Sequence, residues 1–268
     1  MSTRFCGLTV SERCIIMGLI AAAYGVVCYV VFLCSFLYAI AFVGDFIVPR
    51  TIDSGPGAPF TVALVIDLLL LGAFAVQHSV MARPGFKTVW TRIVPRSIER
   101  STYVLLSSLL LALICWQWRP IPGTVWNVSA SPAGARLLSA VFWAGWLVLL
   151  LATFMVNHFD LFGLRQVYLR LRGLEYSPPR FTQRALYKLV RHPIMLGFLI
   201  AFWATPRMSL GHCIFALATT GYILVGIALE ERDLVRSHGE QYRAYRAQVP
   251  MLLPLGSRKR QRTGVVAP

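Results

Sequence analysis

The chain alternates long apolar runs with short polar connections. Residues 14–43 contain no charged side chain. A helix of about 20 apolar residues crosses the ~30 Å hydrocarbon core of a bilayer, so this run spans with length to spare. No small-residue cleavage site closes it, so it reads as a retained membrane helix and not a signal peptide. Further runs cover residues 60–81, 103–118, 137–158 and 208–229. A sixth, 194–205, is too short for a straight crossing and is followed by Pro206-Arg207. A tilted segment or one arm of a tight hairpin is expected there. The pattern predicts an all-α, polytopic transmembrane helix bundle of five to six membrane segments.

The polar connections add detail. The loop 160–190 is basic and aromatic, and Ser177-Pro178-Pro179 breaks it. Within 181–190, helical spacing puts Phe181, Ala185 and Leu189 on one face and Gln183, Arg184 and Lys188 on another. That pattern predicts an amphipathic helix on the cytoplasmic surface. Three parts follow: N-terminal transmembrane helices over 1–136, a core richer in polar groups over 137–256, and a basic, disordered tail over 257–268. No internal repeat is evident, which argues against a repeat-built transporter.

Composition agrees: 57% of the 268 residues are hydrophobic and 14% charged, too few charges to cover a soluble surface. The net charge of +15 changes meaning once it is located. Of the 26 Lys and Arg, only Arg50, Arg119, Arg136 and Arg207 fall in alternate connections. The rest flank the other ends of the runs, which places both termini in the cytoplasm. The charge is therefore an orientation signal, and nucleic acid is not implied. The six cysteines form no CxxC pair and read as small apolar residues, with neither a disulfide framework nor a metal site.

Polar groups at membrane depth are costly and mark candidate sites. Here they are Asp67, Gln77, His78, Asn157, His158, His192, His212, Glu230 and Glu231. On the alternating topology, Gln77-His78, Asn157-His158, Arg191-His192 and Glu230-Glu231 all end at one membrane face. Acids at a cytoplasmic helix end run against both the helix dipole and the positive-inside rule. They need a compensating cation, which could be Arg191, Arg232 or a bound group. Asp67 lies about 16 Å deeper than His78 along its helix. Five histidines also leave open a b-type cytochrome with axial ligands from different helices.

Arg191-His192-Pro193-Ile194-Met195-Leu196-Gly197, then Glu230-Glu231, then Gly239-Glu240-Gln241-Tyr242-Arg243-Ala244-Tyr245 and Val249-Pro250 form an ordered set. It resembles the cofactor region of isoprenylcysteine carboxyl methyltransferase-like integral membrane methyltransferases. Met195 departs from the tyrosine found there in many members. Gln77 to Arg83, Glu99 to Tyr103, Trp116 to Pro120 and Asn157 to Gln166 narrow the resemblance to the bacterial methanethiol S-methyltransferase family, over about residues 60–255.

The resemblance implies methyl transfer from S-adenosylmethionine to methanethiol, giving dimethyl sulfide and S-adenosylhomocysteine. A prenylcysteine carboxylate or a lipid amine is the alternative acceptor. It further implies a C-terminal helical cofactor region built from Tyr187, Arg191, His192, Pro193, Met195, Gly197, Glu230, Glu231, Tyr242 and Tyr245. The expected reacting groups are His78 and His158 as candidate bases, with Asp67, Asp160 or Asn157 beside them. Phe159, Phe162 and Trp203 are expected to wall a pocket for a one-carbon thiol. The partners implied are this thiol and membrane lipid, in the inner membrane of a cell.

Overall fold

The computed structural model describes residues 10–178 and 183–254. Five helices are long and apolar enough to cross a membrane: α1 (Val10–Val43), α2 (Phe60–Ala82), α4 (Arg96–Gln117), α5 (Pro132–Val156) and α9 (Leu210–His238). Shorter ones connect them: α3 (Pro84–Trp90), α6 (His158–Leu161), α7 (Leu164–Leu171), α8 (Pro193–Trp203) and α10 (Glu240–Gln248). Large apolar side chains such as Leu19, Leu69, Leu137 and Val225 stay exposed on the long helices. A water-soluble surface does not tolerate apolar patches of this extent. The protein is a multi-pass membrane protein.

The core runs between α1, α4, α5, α8 and α9, through Phe42, Trp118, Trp146, Phe202 and Phe215. Helix α8 lies against α5 where two glycines face each other. A Cβ at Gly197 would sit 2.7 Å from the Gly145 carbonyl oxygen, and one at Gly145 would sit 2.8 Å from the Gly197 oxygen. Backbone-to-backbone approach replaces side-chain packing there, as small residues permit between membrane helices. Helix α1 packs along α4 and also meets α7, where Gly25 faces Val167.

At one end of the bundle sit the finish of α2, the start of α4, the finish of α5, the start of α8 and the finish of α9. Tyr24 of α1 bonds Thr102 of α4 at 3.0 Å, and Arg83 meets Asp233 of α9 at 2.7 Å. We call this the site end. At the far end, β1 (Thr124–Asn127) pairs antiparallel with β2 (Arg207–Ser209). The apolar pattern does not signal this ribbon, and its reason is physical. Helix α8, at about 1.5 Å per residue, is only some 16 Å long. The chain completes its traverse extended, and extended backbone away from water needs partners. Strand β1 and its flanks supply them: Val128 N–H to Pro206 O, Leu210 N–H to Gly123 O, and Gly211 N–H to Ile121 O.

The amphipathic helix expected over 181–190 is not formed in the described part. Residues 183–190 hold a single 3-10 turn, Ala185–Lys188. Ala185 takes φ +41°, in the left-handed region, so a right-handed α-helix cannot run through it. Phe181 and the tail 257–268 lie outside the described residues.

Candidate active site

The acids at the end of α9 find their cation in Arg191. Glu231 Oε1 accepts from Arg191 Nε at 2.8 Å and lies 2.8 Å from Nη2 and 3.1 Å from His192 Nε2. The remaining guanidinium nitrogen, Nη1, donates to the carbonyls of Arg246 (2.8 Å) and Val249 (2.9 Å). The backbone N–H of Arg191 donates to Pro250 O and that of His192 to Met251 O. Arg191 thereby ties the start of α8, the end of α9 and the chain after α10 into one knot. All three of its nitrogens are committed inside the protein. Of the cations expected to compensate the acids, Arg191 is thus the one bonded to Glu231.

Glu230 is different. Its side chain is 47% exposed, against 11% for Glu231, and its Oε2 lies 3.7 Å from His192 Nδ1. Pro193 opens α8 at N1 and is fully buried, as suits a residue with no N–H to lose. Met195 follows half-buried, and Gly197 faces α5. Gly239, with φ +55°, breaks α9 and turns α10 back over the knot. That turn buries Tyr242 and Tyr245, whose rings lie 5.8 Å apart. Tyr245 donates its hydroxyl to Tyr187 O at 2.6 Å. Burial raises the phenol pKa of Tyr187 and Tyr242 and pushes that of Tyr245 up to about 12, so all three stay protonated. Of the residues expected to hold the cofactor, Arg191, His192, Glu230 and Glu231 lie together, as do Tyr187, Tyr242 and Tyr245; Gly197 packs against α5.

The two candidate bases sit in matching settings. The His78 ring stacks on Phe74. Its Nδ1 lies 3.2 Å from Ser107 Oγ and its Nε2 2.9 Å from the Tyr103 hydroxyl. The Arg100 guanidinium stands 4.9 Å from the centre of the Tyr103 ring. His158 is buried and stacks on Phe154, with Nδ1 2.9 Å from Thr153 Oγ1 and Nε2 2.8 Å from the Tyr29 hydroxyl. Burial lowers its pKa and keeps the ring neutral.

The carboxylates do not orient these rings. Asp67 is fully buried at the far end, where its Oδ1 accepts from the Arg119 N–H at 2.9 Å. Asp160 holds Arg165 (2.9 Å) and the Tyr176 hydroxyl (3.1 Å). Asn157 takes φ +138° and caps α6 by accepting from the Asp160 N–H at 3.1 Å. The expected pocket wall is also divided. Phe162 lies 4.7 Å from His158 and 4.0 Å from Phe32, ring to ring, and Phe159 is exposed. Trp203 stacks with Trp126 at the far end. What replaces the carboxylates is a set of hydroxyls, Tyr29, Tyr103, Ser107 and Thr153. Their only sequence signal is polarity on apolar helices, Thr153 five residues before His158 and Ser107 mid-run.

A family model described as NnrU protein matches residues 66–248, which takes in both histidines and the whole Arg191–Glu231 knot. Methanethiol S-methyltransferase of Mycobacterium tuberculosis is 60% identical over 231 residues, 86% of this chain and 94% of that protein. Methanethiol S-methyltransferase 2 of Bradyrhizobium diazoefficiens is 54% identical over 231 residues, 86% and 88% of the two chains. Nurim of Xenopus laevis is more distant, 31% identical over 183 residues, 65% of this chain and 63% of its own. No solved structure matches the chain. The chain belongs to the methanethiol S-methyltransferase family, as the motif resemblance implied.

Proposed function

We propose that this protein is an integral membrane S-methyltransferase that methylates methanethiol with S-adenosylmethionine, giving dimethyl sulfide and S-adenosylhomocysteine. Family membership carries the substrate assignment: the chain covers nearly all of a relative of that name at 60% identity. The convergence of four polar clusters at one end supports the placement of the site.

S-adenosylmethionine supplies a methyl group on a cationic sulfonium. The donor set suits it. Glu230 is an exposed carboxylate at the edge of a buried cationic knot, available to ribose hydroxyls or an ammonium group. The first-turn N–H groups of α8 suit a carboxylate, because they have no partner within the helix and carry the positive end of its dipole. Arg191 holds Glu231 and the chain after α10 so that this edge keeps its shape.

A thiol must lose its proton to become a good nucleophile. His78 is our base, because its Nε2 meets only a hydroxyl that can turn away, that of Tyr103; the Arg100 guanidinium beside the Tyr103 ring would steady a thiolate there and hasten loss of the proton from the imidazole afterwards. Its Nε2 takes the thiol proton as the Tyr103 hydroxyl turns to the His78 carbonyl, 3.4 Å away. Attack by thiolate on sulfonium cancels opposite charges, which a water-poor site favours. The proton left on His78 then returns to solvent.

The basic residues at the site end favour the cytoplasmic side of the inner membrane for that end, against anionic headgroups. Reporter fusions at both termini test this, and an external C-terminus overturns it.

The test of function uses purified protein in lipid nanodiscs with methyl-labelled cofactor and methanethiol. Labelled dimethyl sulfide is expected. Cofactor binding without volatile sulfide would sink the substrate assignment. Strong competition by a prenyl thiol would move the acceptor to a lipid.

A further inference from the structure

His78 can act as a base only if its lone pair is on the nitrogen that faces the reaction. Neutral imidazole carries one N–H and one lone pair, and the neighbours decide which nitrogen holds which. The decision at His78 can be followed link by link. Met81 Sδ is an acceptor only, and Gln77 Nε2 donates to it at 3.1 Å. The Gln77 amide is thereby turned so that its oxygen faces Ser107. The Ser107 hydroxyl donates to Gln77 Oε1 at 3.2 Å. Its single proton is then spent, so towards His78 it can only accept. The proton of His78 therefore sits on Nδ1, 3.2 Å from Ser107 Oγ. The lone pair is on Nε2, where the Tyr103 hydroxyl meets it.

We propose that Ser107, Gln77 and Met81 are positioning residues that lock His78 in its Nδ1–H tautomer and so present Nε2 as the base. This rests on the assignment of His78 as the base and deepens it. The chain is one-directional because it begins at a sulfur that cannot donate. Gln77 and Met81 lie one turn apart on α2, and Ser107 projects from α4 across the α2–α4 contact. The relay therefore needs both helices in register.

His158 provides an internal reference. Thr153 Oγ1 donates to the Leu150 carbonyl at 2.7 Å, so towards His158 it too can only accept. The same tautomer results, but it is fixed by the backbone of α5, with no side-chain relay.

The experiment combines ring nitrogen NMR on protein labelled with nitrogen-15 histidine and steady-state kinetics in nanodiscs. The wild type should show His78 and His158 both as Nδ1–H tautomers. Ser107→Ala should move His78 toward a mixture containing Nε2–H while the His158 signals stay in place. Turnover should fall about tenfold with cofactor affinity unchanged, as loss of a partner that orients a working histidine does. Ser107→Thr, which keeps the hydroxyl, should restore both signals and rate. A wild-type His78 found as Nε2–H overturns the relay while leaving the base assignment standing. Full turnover in His78→Ala overturns the base assignment, whatever the tautomer. An unshifted His78 tautomer in Ser107→Ala refutes the role of Ser107 directly.

Discussion

Replacing Arg191 by alanine tests whether this side chain is a ligand contact or the fastening of the site. Its side chain is 10% exposed and that of Glu231 is 11%, so water screens the pair little. Removing one member of a buried ion pair costs about 3–5 kcal/mol, and the low end applies here because Arg246 Nη1, 3.8 Å from Glu231 Oε2, still faces the charge left behind. The carbonyls of Arg246 and Val249 lose a donor as well, adding up to about 1 kcal/mol each where water cannot enter. For a chain of this size 1 kcal/mol shifts the midpoint by about 2–4 °C, so a loss of about 3–4 kcal/mol lowers it by about 6–16 °C. Arg191→Lys keeps the charge but offers one nitrogen where three are used, and should fall between. The assay is thermal unfolding in nanodiscs alongside S-adenosylhomocysteine binding by calorimetry. Loss of stability and binding together is the expected result. A variant that loses binding while melting within a degree or two of wild type would refute the knot and make Arg191 a direct ligand contact.

Three further outcomes are expected. Gly197→Ala should destabilise by about 1–3 kcal/mol and lower expression, because its Cβ would strike the Gly145 oxygen and Leu149; a neutral change in unfolding midpoint would contradict the close crossing. Asp67→Asn should keep turnover near wild type in the dimethyl sulfide assay, since only Oδ1 has a hydrogen-bond partner among the described residues and an amide oxygen can replace it; a hundredfold loss would return Asp67 to the reaction. His158 has its folded pKa depressed by burial below 6.5. The unfolded chain then binds more protons between the depressed value and 6.5, so stability falls as pH drops through that window and is unaffected above it. His158→Asn should flatten the fall in unfolding midpoint measured from pH 7.5 to 5.5, and an equally steep fall would show that His158 does not drive it.

Much of the architecture is readable from residues alone. The five long helices follow from runs without charge, and the short α8 from the distance between Pro193 and Pro206. Convergence of His78, His158, His192 and Glu231 at one end follows from counting crossings, because alternation fixes which ends meet. Three features are less accessible. Arg191 looks equally suited to a ligand carboxylate and to Glu231; geometry decides that, and both use the same guanidinium chemistry. The hydroxyl partners of His78 and His158 come from α4, α1 and α5, and a single Ser or Tyr on an apolar helix carries no periodic signal. The ribbon of β1 and β2 arises from backbone need, and backbone is the same at every position. In the described residues 183–190 a favourable helical pattern loses to local conformation at Ala185.

The far-end ribbon also sets the order in which the molecule can be made. Thr124 pairs with Ser209, and between them the ribosome must deliver all of α5 and α8. During synthesis β1 emerges on the far face and waits with an open edge while two more segments enter the bilayer. The extended backbone after α8 has no partner until that edge is reached, so α8 alone is a poor candidate for insertion by the translocon. Its far end is held where β2 pairs with β1 and Ser209 meets Asp53 from the first loop. A nascent chain arrested within α8 would hold four of the long helices with His78 and His158, but Arg191 would have no Glu231 to grip. The pairing of β1 with β2 can thus form only after α5 and α8 have both been made.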